Sequence, residues 1–375
     1  MIERSLSSAG YTRRDFMKAV TTATAAMGLP LAAANKVIAA AENKDNRPPI
    51  IWLHFQECTG CSEALLRASH PSAADFILDI ANVEYQETLM AGSGHQAEGH
   101  LEEALKRHKG KYILVVEGSI PTGIKETCMI GGHTAYDSLM KCAKDAAVIV
   151  GLGACAVSGG IVAIEPNPTG AQGLNTLLDS PEFRNAGITK DKYLSLPGCP
   201  PNPYNILSVV LYFKTFGKLP ELDKDNRPLF AYGRLIHEHC ERRPHFDAGR
   251  FVREFGDEGH RNGWCLYYMG CKGPETYANC SIIHFNDGAA WPIGNGCPCI
   301  GCTEGHVLFK DSLFSLAKVE QPKPHSKVSP AHPENLGSPA TITQAAVVGG
   351  IVGAAVGAGV VFAGKLPKEP EDENK

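Results

Sequence analysis

Seven of the chain's thirteen cysteines crowd into the 63 residues from Cys240 to Cys302, and His237 stands three residues ahead of the first. A segment so rich in thiol has few ways to fold. Free cysteine packs as a small hydrophobe, but thiols clustered at short spacings usually bind metal or form disulfides. The segment also lacks a clear apolar period of the kind that builds a helical or stranded core. Its folding therefore depends on what the thiols hold. More thiols lie upstream, in a Cys58-x-x-Cys61 pair and at Cys155 and Cys199. For about ten thiolates in one chain, a set of iron–sulfur clusters is the most economical chemistry.

The cellular compartment decides between metal and disulfide. The N-terminus reads Thr12-Arg13-Arg14-Asp15-Phe16-Met17-Lys18, followed by a mildly apolar stretch from Ala19 to Ala34 that Pro30 interrupts. This is a twin-arginine export signal, too short and broken for a membrane span, with a small-residue cleavage site near Ala39-Ala40-Ala41. Export in general permits disulfides. The twin-arginine route carries cargo that has already folded around its cofactor, which favours metal here. Without residues 1–41 the chain holds 31 basic and 38 acidic residues, a net charge of −7. Nothing in that balance suggests nucleic acid.

The C-terminus carries a second address. No charged residue occurs from Thr341 to Gly364, and 24 helical residues would span ~36 Å against a bilayer core of ~30 Å. Gly349, Gly353 and Gly357 form a small-xxx-small face on which another helix packs closely. The preceding residues, Gln321 to Ala340, hold five prolines and read as an extended linker. The expected product is a tail-anchored protein on the periplasmic side of the cytoplasmic membrane, with residues 365–375 as a cytoplasmic tail.

Between these addresses the chain alternates strand and helix. Strands are expected at Ile50–Phe55, Val83–Leu89, Tyr112–Val116, Val148–Val150 and Tyr193–Leu196, and helices at Ser62–Ala68, His100–His108, Thr134–Asp145 and Asn205–Phe216. Alternation of this kind implies a doubly wound parallel α/β sheet covered on both faces. Ligands of such sheets bind beyond the carboxyl ends of the strands. Cys58 and Cys61 follow the first strand, Cys155 the fourth and Cys199 the fifth. Each alone would more often be a core thiol; four at one end of one sheet are hard to explain that way. Cys128 follows the third strand, and position alone leaves it open.

Taken in order, Glu57-Cys58-Thr59-Gly60-Cys61-Ser62-Glu63, Glu117-Gly118-Ser119-Ile120-Pro121, Gly153-Ala154-Cys155 and Pro166-Asn167-Pro168-Thr169-Gly170 resemble segments of the small subunit of nickel–iron hydrogenases. So do Pro197-Gly198-Cys199-Pro200-Pro201-Asn202-Pro203, His237-Glu238-His239-Cys240, Gly263-Trp264-Cys265, Gly270-Cys271-Lys272-Gly273-Pro274, Asn279-Cys280 and Pro298-Cys299-Ile300-Gly301-Cys302. The resemblance covers nearly the whole chain. It implies a flavodoxin-like domain over residues 42–219, an iron–sulfur domain over 220–320, the linker 321–340 and the transmembrane helix 341–364.

By the same resemblance the chain relays electrons from hydrogen oxidation in a nickel-bearing large subunit. A proximal [4Fe–4S] cluster would be held by Cys58, Cys61, Cys155 and Cys199. His237, Cys240, Cys265 and Cys271 would hold a distal [4Fe–4S] cluster, and Cys280, Cys299 and Cys302 a medial [3Fe–4S] cluster. Pro292 stands where a fourth medial ligand would be. A neutral imidazole in place of a thiolate raises a cluster's potential, and His237 marks the electron exit. Cys142 reads as a packed thiol and Cys128 as a non-ligand. Cys297 departs from the family, where histidine is common, and reads as a bystander rather than a fourth medial ligand.

Gly60 and Gly160 stand where oxygen-tolerant relatives carry extra cysteines, so the chain resembles the standard, oxygen-sensitive, hydrogenase-2-like type. The implied electron acceptor is a membrane cytochrome b or a ferredoxin-like, quinone-reducing subunit, and heterodimers would assemble further. Two other readings stand beside this one. The chain could serve another oxidoreductase as its electron-transfer subunit, although such modules keep only the proximal site. Its thiols could instead bind structural zinc or form disulfides in a periplasmic protein. No nickel site, dinucleotide fingerprint or P-loop is present in the sequence.

Overall fold

The computed structural model describes residues 24, 27, 29–69, 71–286, 288–310 and 312–319. The twin-arginine segment, the linker 321–340, the apolar stretch 341–364 and the tail 365–375 lie outside them. Among the described residues no helix is long and apolar enough to cross a membrane.

Five strands form one parallel sheet: β1 (Pro49–His54), β2 (Asn82–Gln86), β3 (Ile113–Glu117), β4 (Val148–Leu152) and β5 (Tyr193–Leu196). Their order is β2-β1-β3-β4-β5, the 2-1-3-4-5 arrangement of flavodoxin-type sheets. Every residue of β3, β4 and β5 is buried, as expected where helices cover both faces. Side chains alternate between two cores. Ile50, Trp52, Ile113, Val115, Val148 and Val150 face one, and Ile51, Leu53, Leu114, Val116, Ile149 and Tyr193 face the other.

The helices that matter here are α1 (Ala34–Glu42), α2 (Gly60–Leu66), α3 (Gly94–Arg107), α4 (Ala135–Ala143), α5 (Gly153–Ser158) and α6 (Pro203–Phe216). Helix α4 begins where Thr134 accepts the Asp137 N–H at 3.1 Å. Helix α6 combines a capping Asn202, which accepts the Tyr204 N–H at 3.0 Å, with Pro203 in its first turn and ends on left-handed Gly217. It is apolar on most sides because it lies between the sheet, α1 and the cysteine-rich segment. Most boundaries fall within two residues of those expected, and two differ by more. Strand β2 stops at Gln86, where Glu87 to Leu89 turn away. Helix α3 starts six residues before His100, through a polar, glycine-containing turn that carries no apolar period.

Beyond α6 the chain breaks into turns. The longest helix from Leu229 to Ile283 is the five-residue Arg243–Asp247. This segment has no separate core among the described residues. Ile236, Leu266, Trp291, Ile293 and Cys299 extend the core that α6 shares with the sheet.

Candidate iron–sulfur sites

The carboxyl ends of β1, β4 and β5 deliver the first site. After β1 the chain turns through Thr59, held left-handed at φ 60°, so that Cys61 lies in the first turn of α2. Cys155 lies in α5 directly after β4, and Cys199 follows β5. The backbone packs tightly around these sulfurs. A Cβ on Gly153 (φ +87°) would lie 2.4 Å from Cys61 Sγ, and one on Gly160 (φ +54°) would lie 2.7 Å from Cys155 Sγ. At Gly60 the distance to Cys58 Sγ would be 3.0 Å. Burial pushes the Cys61 thiol well up, and Glu117 and the sulfurs of Cys155, Cys199 and Cys58 add to it. Burial, then Cys199 and Cys58, brings Cys155 to about 11. Neighbouring sulfurs thus oppose ionisation of Cys61, Cys155 and Cys199, which suits a bound cationic centre able to stabilise the thiolates together.

Sequence reading did not assign a role to the carboxylate that holds this loop. Glu117, the last residue of β3, is 1% exposed and accepts the N–H groups of Cys61 at 3.0 Å and Ser62 at 3.2 Å. Its other oxygen accepts Ser62 Oγ at 2.7 Å and Trp52 Nε1 at 3.1 Å. The only sequence signal was its place in the family-like segment from Glu117 to Pro121. Glu57, beside Cys58, meets His54 Nδ1 and Thr59 Oγ1, each at 3.1 Å. Burial lowers the His54 pKa, but the Glu57 hydrogen bond and the charges of Glu117 and Glu87 outweigh it, and the net direction is up.

A second site is a cavity lined by His237, Cys240, Cys265 and Cys271, beside the side chains of Arg242 and Arg243. His237 lies in the turn Ile236–His239, with its ring edge-on to Phe246 at 4.6 Å between centroids. Its Nε2 is buried and has no hydrogen-bond partner. Burial and Arg243 lower its pKa to about 4, so the ring is neutral and one of its two nitrogens carries a lone pair. A neutral imidazole with an orphaned buried nitrogen, lining one cavity with three thiols, is a metal-ligand arrangement. Burial brings Cys240 and Cys265 to about 12, and the Cys271 thiol adds to both shifts.

The third set lies between the other two. Cys280 opens the one-turn helix Cys280–Ile283, and Cys299 and Cys302 flank a tight turn in which the Gly301 N–H reaches Cys299 Sγ at 3.4 Å. Burial pushes Cys280 and Cys302 up to about 12, and Cys299 further. The backbone N–H of Cys199 faces the sulfur of Cys302, and that of Cys299 faces the sulfur of Cys271. Contacts therefore run from the first set to the third and on to the second.

Cys297 is exposed, whereas Cys299 two residues later is buried. Pro292 is also exposed, and its carbonyl accepts the Cys297 N–H at 2.9 Å. Cys142 is buried within α4, where burial brings it to about 12, and Cys128 is half-buried with Glu87 nearby.

Residues 232–315 match the family described as the C-terminal part of the NiFe/NiFeSe hydrogenase small subunit. The chain is 46% identical over 373 residues to the hydrogenase-2 small chain of Escherichia coli (strain K12), covering 98% of this chain and 96% of that one. The chain belongs to the nickel–iron hydrogenase small subunits. It is an electron-transfer, iron–sulfur component of such an enzyme, and its partner is the nickel–iron large subunit.

Other hydrogenase small chains agree. The quinone-reactive Ni/Fe-hydrogenase small chain of Wolinella succinogenes is 46% identical over 302 residues, 80% of this chain and 82% of that one. Among solved structures, the reduced, active Ni-Fe-Se hydrogenase of Desulfomicrobium baculatum superposes with a TM-score of 0.66 at 34% identity, covering 72% of this chain and 100% of that chain. Residues 58–213 also match the family described as NADH ubiquinone oxidoreductase, 20 Kd subunit. That second match contains Cys58, Cys61, Cys155 and Cys199 and stops before His237. Of the three sets it thus spans the proximal thiols alone. The hydrogenase-specific match begins just before His237 and runs past Cys302.

Proposed function

We propose that this chain carries three clusters in a row: [4Fe–4S] on Cys58, Cys61, Cys155 and Cys199, [3Fe–4S] on Cys280, Cys299 and Cys302, and [4Fe–4S] on His237, Cys240, Cys265 and Cys271. When bound, such clusters take up and release single electrons. The carrying observation is the spatial order, with Cys302 against Cys199 and Cys299 against Cys271. Three thiols without a fourth suit the three-iron form, with the exposed Cys297 as a bystander. Arg242 and Arg243 beside the distal set, with one neutral ligand there, favour the reduced state at the exit end.

The entry end follows from exposure. Cys58 and Cys199 are exposed at the carboxyl end of the sheet, so the nickel–iron large subunit is placed against that end to exclude water. Gly60 and Gly160 leave no additional thiol beside the proximal set, which supports the standard, oxygen-sensitive type. The quinone-reactive relative supports a quinone-linked acceptor, through a membrane cytochrome b or a ferredoxin-like subunit. Twin-arginine export, the tail anchor at 341–364, the division near residue 219 and assembly of heterodimers into a larger oligomer belong to the same proposal.

The test is a set of single-site variants of the intact complex, read by electron paramagnetic resonance and iron analysis. Cys280→Ala is expected to remove the three-iron signal and leave the other two centres in place. Loss of all iron, or no change in the three-iron signal, would contradict the assignment.

A further inference from the structure

Helix α1 contains the very residues at which export processing is expected, and it is not an extended tether. It packs on α6 and on the turn Phe76–Ile80. Val37 is 0% exposed, Ala41 2%, and Ile38 is buried with them in the core that contains Trp52, Phe76 and Leu211. The Lys36 ammonium lies 5.1 Å from the centre of the Phe216 ring at the end of α6. Past the helix, the Asn43 N–H reaches the carbonyls of Ala39 at 3.2 Å and Ala40 at 3.3 Å, and Lys44 pairs with Asp79. Both sides of the Ala41–Glu42 bond are thus fastened to the folded body.

This conformation conflicts with cleavage. A small-residue site of the Ala-x-Ala kind is read through its first and third residues. Residues two apart point the same way in a strand and to different sides of a helix. Here Ala39 faces solvent while Ala41 is buried. A peptidase that binds both in neighbouring pockets needs this stretch unwound and lifted from α6.

We propose that α1 is a latch on its own processing site: in the unprocessed chain it protects the Ala41–Glu42 bond, and cleavage waits on its release from α6. The proposal rests on the export reading above and extends it. The step is hydrolysis by a membrane signal peptidase, in which water adds across the Ala41–Glu42 peptide bond to leave a carboxylate on Ala41 and a new amino group on Glu42. Cleavage of a protected bond proceeds through the fraction of molecules in which the segment is open, so weaker docking speeds it.

The experiment compares three substrates of a purified signal peptidase: the full unprocessed chain, the same chain with Phe216→Ala, and a free peptide of residues 27–46. Phe216→Ala leaves the leader sequence untouched. The full chain is expected to be cut far more slowly than the peptide, and Phe216→Ala to be cut roughly tenfold faster than the full chain, the change that about 1.4 kcal/mol of weakened docking produces. Equal rates for all three would overturn the latch. If Phe216→Ala does not fold, hydrogen exchange on the unsubstituted chain decides: protected amides at Ala40 and Ala41 support the latch, and unprotected ones overturn it. The N-terminus of the processed protein separates the two layers. A start other than Glu42 removes the assumed processing site and the latch together, while a start at Glu42 with equal rates removes only the latch.

Discussion

Glu117 accepts the backbone N–H of Cys61 at 3.0 Å, across 56 residues of sequence, and so ties the end of β3 to the loop that presents the first pair of thiols. Both oxygens of the carboxylate take donors from β1 and α2. Position of the sulfurs and burial of a charge are one arrangement here.

Glu117→Ala is expected to lose the proximal cluster before the others. Trp52 Nε1, Ser62 Oγ and the two N–H groups would be left without their acceptor, at about 1–3 kcal/mol for each buried donor unpaired. Thermal unfolding of the complex together with the proximal spin signal reads the effect. An unchanged proximal signal would show that the loop holds its shape without the carboxylate.

Gly153→Ala tests the close approach of backbone to sulfur. The left-handed conformation at φ +87° costs a side chain roughly 1–2 kcal/mol, and the new Cβ would collide with Cys61 Sγ. The expected outcome is a protein that assembles poorly and lacks proximal iron. Gly187→Ala, also left-handed but with nothing within 4 Å, is expected to retain all its iron.

His237→Ala is expected to slow electron delivery to an external acceptor while hydrogen activation in the large subunit persists, as read by hydrogen–deuterium exchange. His237→Cys, which restores a fourth ligand with a negative charge, should recover the cluster at a lower potential. A full rate to the acceptor in His237→Ala would contradict the exit role.

The polar network beside β2 makes a pH prediction. Burial raises Glu87 to about 7 from an ordinary 4.5, so its proton is held more tightly in the folded than in the unfolded chain. Stability from this group is therefore complete below about 4.5 and is lost as pH rises through about 7. Glu87→Gln is expected to raise the unfolding midpoint at pH 8 and leave it nearly unchanged at pH 4. A gain of equal size at both pH values would mean that Glu87 is not the titrating group.

The sheet could be read from the chain because buried parallel strands are short unbroken apolar runs, as in Ile113–Val116 and Val148–Val150. The four thiols at the strand ends were readable from their place after β1, β4 and β5, whereas the other two sets came only from resemblance to the family's motifs. What escaped was long-range or aperiodic. Glu117 works through partners 55 to 65 residues away, and no spacing rule signals that. Helix α3 begins in a polar turn around Gly94, where no apolar stripe announces it. Ala34–Ala41 read as the end of a leader, and its composition did not reveal that Val37 and Ile38 complete the core around α6. Between Leu229 and Ile283 the short turns follow no apolar period, so the chain pattern there gave little warning of where each turn falls.

The most direct measurement is electron paramagnetic resonance on the membrane-extracted complex, first as isolated in air and then under hydrogen gas. An oxidised three-iron signal that disappears under hydrogen is the expected result, since it shows the medial cluster and its connection to a hydrogen-splitting partner at once. A sample without iron, or iron signals indifferent to hydrogen, would contradict the three-cluster relay.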